Sequence, residues 1–315
     1  MKFLRDATPL TQIIFTLVVI LTMGIFVSLI GFLYIWLSMG ISIEAVPDLL
    51  TKLEDPGNVQ LLKFLQILQT IGMFILPPLV MAYALDDKPI RFLQMNRKPA
   101  GIMLLIVCAV ILVGGPVIEW CSLLNQQLAL PSWLGSLEEW MRNSEDQATE
   151  ITKAFLETKT AGGLVGNLFI VAVLPAIGEE LLFRGLLQQL IKKMTGSSHW
   201  AIWITAALFS ALHLQFFGFL PRMLLGALFG YLLEWTGTLW LPILAHFINN
   251  AIGVITYFIT GEGLEPDKPD ASLFNSPTFY WAIVSGIAIW LLLRYVWSKR
   301  VDLTTAGLDD QATVY

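Results

Sequence analysis

The sequence predicts an all-α, polytopic integral membrane protein of about eight transmembrane helices, with a polar cavity formed by spans four, five and seven. Three observations carry this expectation. The 315 residues are 56% hydrophobic and only 14% charged, against roughly 45–50% and about 25% in an average soluble domain. No charged residue occurs from Ala7 to Ile43, a run longer than the ~20 residues that cross a bilayer and too long for a cleaved signal peptide. Finally, a few ionisable side chains sit inside otherwise apolar stretches, where each costs about 2.5–3.5 kcal/mol on insertion scales.

After the first span, apolar runs centred on Gly72, Cys108, Val173, Ala207, Leu228, Asn250 and Ile287 supply the remaining seven. A short connection near Gly218 to Arg222 separates the fifth from the sixth. Between spans the Lys and Arg residues alternate in density. Eleven fall on the side of Lys2, Arg5, Lys88, Lys192 and Arg300, and six, including Lys52, Arg142 and Arg222, fall on the other. The richer side is expected to be cytoplasmic, which puts both termini there. The net charge of −5 offers no basic stripe for a phosphate backbone, so membrane lipid rather than nucleic acid is the expected surrounding. Cys108 and Cys121 lie thirteen residues apart in one apolar helix, too far to bridge.

The expected division is 1–124 for three helices, 125–162 for an outer amphipathic segment, 163–260 for the core and 261–315 for the last helix and a cytoplasmic tail. The segment from Asn125 to Gly162 interleaves Trp133, Leu137, Trp140 and Met141 with Glu138, Glu139, Glu145, Asp146 and Glu150. That pattern suits a helix lying on the membrane surface. The acidic loop Gly261 to Asp270 reads as a solvated outer turn.

Three segments hold the embedded polar residues: Gly178 to Arg184, Phe209 to His213, and His246 to Asn250. Residues four apart share a helix face, so Glu180 lies over Arg184, Phe209 over His213, and His246 over Asn250. Glu179 is turned by about 100° from Glu180 and has no countercharge on its own helix. Glu180 with Arg184 is therefore the expected structural pair, and Glu179 the expected chemical group. Rises of 1.5 Å per residue put Glu179 and His213 about 20 Å deep, His246 about 10 Å and Asn250 about 17 Å, close enough to meet. Pro175 can kink the fourth helix, and Gly178 permits close approach of a neighbour.

A carboxylate, two imidazoles and an amide in a partly dry cavity suit water activation, with the carboxylate as general base and imidazole and amide N–H groups holding an oxyanion. The same set could hold a catalytic zinc through Glu179, His213 and His246, although the helical His-Glu-x-x-His motif is absent. A proton-coupled transporter or a structural polar network also accounts for these residues.

Taken together, Glu-Glu-x-x-x-Arg at Glu179 to Arg184, Phe-x-x-x-His at Phe209 to His213 and His-x-x-x-Asn at His246 to Asn250 resemble the motif set of the CPBP intramembrane proteases. That family includes the CAAX prenyl endopeptidases and the bacteriocin-processing Abi proteins. The resemblance covers about Gly163 to Ile255. It implies cleavage of membrane-associated peptide or protein substrates in a cavity open to the cytoplasm. By position, Glu179 activates the water, His213 orients it, His246 and Asn250 stabilise the oxyanion, and Glu180 with Arg184 supports them. The resemblance leaves open whether the chemistry is metal-free or uses a divalent metal such as zinc. A non-catalytic scaffold or immunity protein of the same fold is the alternative it carries.

Overall fold

The computed structural model describes residues 2–42, 44, 52–127, 129–263, 273–274 and 276–300. Most of the acidic loop from 264 to 270 and the tail from 301 lie outside the described residues. Those described are overwhelmingly helical and contain no strand, as backbone groups in lipid require. The chain is an integral membrane protein.

Helix α1 runs over Pro9–Met39, with Thr8 capping its start, Pro9 in the first turn and a left-handed Gly40 at its end. Helix α2 spans Pro56–Leu85 and contains a π-helical turn at Ile71–Ile75. Helices α3 (Gly101–Val113) and α4 (Gly115–Gln126) form a pair bent by 42°, at the adjacent glycines Gly114 and Gly115 followed by Pro116. The free thiols Cys108 and Cys121 sit on its two halves. Helix α5 covers Gly135–Leu156; its Trp133 and Trp140 flank is exposed. Helix α6 is the long rod Ala161–Thr195, followed by α7 (Ser198–Ala211), α8 (Phe219–Thr236), α9 (Trp240–Thr260) and α10 (Pro277–Ser298).

Among the described residues, six helices are long and apolar enough to cross a membrane, or seven with the bent pair taken as one. The expected count of eight is not confirmed, and the difference lies at α7, the span expected around Ala207. Its 14 residues reach about 21 Å, short of the ~30 Å hydrocarbon core. The helix ends at Ala211 with Leu212 as its cap, and beyond it Leu214 adopts φ 55°, a left-handed conformation that a bulky side chain rarely takes. The 3-10 turn Phe216–Gly218 then leads into α8. His213 therefore lies in this turn rather than on a transmembrane helix.

Helices α1 and α10 turn exposed Leu21, Phe26, Leu37, Trp281, Ile287 and Leu291 outward, as lipid contact requires. The interior is built around α6, whose Leu181, Leu182, Phe183, Leu186 and Leu190 pack with Met81, Leu93, Phe209, Leu239 and Ile243. A β-carbon on Gly178 would stand 3.0 Å from Phe74 Cβ and 3.2 Å from Ile75 Cγ1, so this glycine lets α2 approach α6 closely.

Candidate active site

Helix α6 carries the Glu179-Glu180 pair between two π-helical stretches, Leu168–Val173 and Leu181–Leu187. Such stretches often mark functional positions, and the first one has a local cause. Pro175 cannot donate to the carbonyl of Val171, its partner in a regular α-helix. That carbonyl instead accepts Asn250 Nδ2 from α9 at 3.2 Å. The expected disturbance at Pro175 thus takes the form of a rewound turn, and its freed acceptor ties α6 to α9.

Below the pair, α6 and α8 run parallel and are joined by regular polar rungs. Arg184 Nη2 donates to Gly226 O at 3.0 Å, Gln188 Nε2 to Gly230 O at 3.2 Å, and Lys192 Nζ to Glu234 Oε1 at 2.6 Å, each spanning 42 positions. Two glycines four apart make this contact possible. A β-carbon on Gly226 would lie 3.0 Å from Arg184 Nη2, and one on Gly230 would lie 2.8 Å from Gln188 Oε1 and 2.9 Å from Ile202 Cγ2.

Glu180 and Arg184 are fully buried and paired at 2.8 Å. The same Glu180 oxygen receives His246 Nδ1 at 2.9 Å, so the pair holds an imidazole from α9 as well as its own helix. The guanidinium also stands 4.6 Å over the Phe209 ring, and Phe229 stacks on His246 at 5.3 Å. Aromatic faces and a backbone carbonyl therefore complete the coordination of a cation removed from water.

Glu179 faces the other way. Its side chain keeps 16% exposure where Glu180 has none, and its Oε2 accepts no hydrogen bond from the described residues. His246 Nε2 stands 3.8 Å from that oxygen, beyond direct hydrogen bonding. The carboxylate opens into a cavity of about 460 Å³ that His213, Arg222, His246, Asn249 and Asn250 also line. His213 Nδ1 donates to Phe209 O at 2.8 Å, since a carbonyl only accepts.

Of the six residues expected at the site, Glu179, His213, His246 and Asn250 line this cavity, while Glu180 and Arg184 lie behind it. The walls are broader than three spans. Ile118 and Ser122 of α4, Thr152 and Leu156 of α5, and Pro221, Arg222, Leu225 and Phe229 of α8 complete them. A second chamber of about 600 Å³ shares Ile118, Ser122, Leu225 and Asn249 with the first and extends past Glu119 to Ile289 and Leu293 of α10.

Two lining residues escaped sequence reasoning. Arg222, counted among the loop charges, is on α8 and donates to Gln215 through Nη1 (3.3 Å) and Nη2 (2.8 Å). Asn249, off the His246 face, donates to Asn250 Oδ1 at 3.3 Å. The Gly226-x-x-x-Gly230 spacing was the readable signal that the Arg222 helix packs tightly against others. Among the described residues no group of three or more His, Cys, Asp or Glu side chains converges at metal-ligand spacing. Each imidazole donates through Nδ1, to Glu180 or to Phe209 O, which leaves its Nε2 as an acceptor.

Comparison with known proteins finds a family and a relative that part of this chain resembles. Residues 161–252 match the family described as type II CAAX prenyl endopeptidase Rce1-like. The uncharacterized protein YpbD of Bacillus subtilis (strain 168) is 33% identical over 110 residues, 34% of this chain and 52% of that protein. The chain thus spans about half the length of this curated relative. No solved structure matches it significantly. Helical fold, three ordered motifs and matched segment agree in likening residues 161–252 to the type II CAAX prenyl endopeptidase Rce1-like family.

Proposed function

We propose that the protein is an intramembrane endopeptidase that cleaves membrane-associated peptide or protein substrates with water activated by Glu179. The observation that carries this reading is a carboxylate oxygen without a protein donor, 3.8 Å from an imidazole nitrogen, on the wall of a cavity within the membrane domain. Hydrogen bonds of ~2.8 Å to two atoms so spaced meet at about 85°, open enough for one water to donate to both. His246 Nδ1 donates to Glu180, so neutral Nε2 is an acceptor and takes one water hydrogen. Glu179 takes the other as the water oxygen attacks the amide carbon, and returns it to the leaving amine.

In this reading Glu180 and Arg184 are positioning residues that set the orientation and tautomer of His246. His213, with Nε2 as the acceptor left to it, holds a donor of the substrate. Asn250 braces α6 against α9. The apolar chamber beside the cavity receives the hydrophobic part of the substrate, the catalytic unit is 163–260, and both termini face the cytoplasm.

The test is a membrane-tethered reporter ending in a CAAX-type sequence, incubated with parent protein and Glu179→Gln in lipid vesicles. Loss of a general base lowers the rate by about 10²–10⁴, while the thermal transition stays close to that of the parent. Equal cleavage by both proteins overturns the reading.

A further inference from the structure

The tetrahedral intermediate of amide hydrolysis carries a negative oxygen, and in a low-dielectric cavity that charge needs donors already in place. The imidazole donors are committed elsewhere. His213 Nδ1 is spent on Phe209 O and His246 Nδ1 on Glu180; in neutral imidazole the remaining nitrogen accepts. Asn250 Nδ2 gives one of its two N–H groups to Val171 O, and Asn249 Nδ2 gives one to Asn250 Oδ1, so the amides offer the cavity neutral donors without a positive charge.

Arg222 is the cation among the residues that line the cavity. A guanidinium has five N–H groups, of which two are held by Gln215. The rungs joining α6 to α8 fix its height. Partners 184 and 226, 188 and 230, and 192 and 234 each differ by 42, so the same register sets position 222 level with position 180, beside Glu179. Glu145 and Glu179 are the carboxylates whose charge reaches it. Gly218 leaves room for the guanidinium, since a β-carbon there would lie 3.1 Å from Nη2.

We infer that Arg222 is a catalytic residue that donates to the oxyanion of the tetrahedral intermediate, held in place by Gln215. This rests on the proteolytic reading above. As water oxygen bonds to the carbonyl carbon, the C=O π pair moves onto oxygen opposite Arg222 and one water proton passes to Glu179. Collapse restores the C=O bond, breaks C–N and returns that proton to the amine.

The experiment measures kcat and KM on the CAAX-type reporter in vesicles, together with binding of a phosphinic analogue whose anionic tetrahedral phosphorus replaces the scissile carbonyl. Arg222→Gln is expected to lower kcat by about 10²–10³, as loss of one oxyanion donor does, with KM within about threefold and the analogue weakened in parallel. Arg222→Lys should recover part of the loss, and Gln215→Leu, which keeps the cation but frees it, should give a smaller fall in kcat. These two variants carry the test if Arg222→Gln does not fold. An unchanged kcat, or a rise in KM alone, overturns the inference while leaving the proteolytic reading intact. Absence of cleavage by the parent overturns both.

Discussion

Glu179 and Glu180 are adjacent in the chain and belong to two different environments. Glu180 points into the packed seam of α6, α8 and α9, where Arg184 and His246 satisfy one of its oxygens and no surface remains exposed. Glu179, a third of a turn away, lines a polar cavity and keeps 16% exposure, although each carboxylate retains one oxygen without a donor among the described residues. One side of the helix spends its charges on holding three helices together; the other keeps a charge available. The contrast teaches that a buried ion pair and a cavity-facing carboxylate can share one helical turn when the helix separates a packed seam from an open one.

The sharpest way to break this contrast is to remove each charge separately. Glu179→Gln is expected to abolish cleavage by about 10²–10⁴ with the thermal transition retained, whereas Arg184→Met leaves Glu180 buried without its cation and should cost about 3–5 kcal/mol of stability. Thermal unfolding of both variants in detergent decides the matter, and comparable destabilisation by the two would erase the distinction. Next in size, Gly226→Ala pushes a methyl to 3.0 Å from Arg184 Nη2 and 3.3 Å from Ala206; overpacking of this kind costs about 1–3 kcal/mol, readable in the same melts. Asn250→Leu removes the donor to Val171 O and is expected to cost about 0.6–1.7 kcal/mol, the range of single polar contacts between membrane helices.

The smallest effect lies outside the membrane core. The Arg142 guanidinium, bonded at 2.6 Å, and the Leu130 N–H, at 3.1 Å, hold the Glu138 carboxyl below its usual value. A lowered folded-state pKa means that the contact contributes above the ordinary carboxylate range and is lost as pH falls through the lowered value. The protection factor of the Leu130 amide should therefore stay constant from neutral pH down through that range and fall only at more acid pH. A fall near neutrality would show that Glu138 does not fasten the start of α5.

Much of the site could be read from spacing alone. The Glu180 and Arg184 pairing follows from a four-residue interval on one helix, and it is present. The separation of Glu179 from it follows from the same geometry. His246 was legible as an embedded imidazole, but its partner was not, because Glu180 is 66 positions away. Arg222 was misread because charge counting assigns a basic residue near an apolar run to a loop, and nothing local distinguishes a loop arginine from one that opens a helix. The length of α7 was overestimated for a related reason. Its apolar composition continues to Leu214, while the left-handed turn that follows it has no glycine to announce it.

What the sequence determined by itself was the helical, membrane-embedded character of the chain and the face each polar residue occupies on its own helix. Both depend on hydrophobic transfer and on a 3.6-residue repeat, which are local properties. Which helices lie side by side, and in what register, was decided by tertiary packing. Gly226 and Gly230 admit α6 to contact with α8, and the 42-residue offset of their rungs emerges only once the two backbones meet. The pairing of His246 with Glu180, and the level of Arg222 beside Glu179, depend on that contact because charges on separate helices can find one another only after close packing excludes the alternatives.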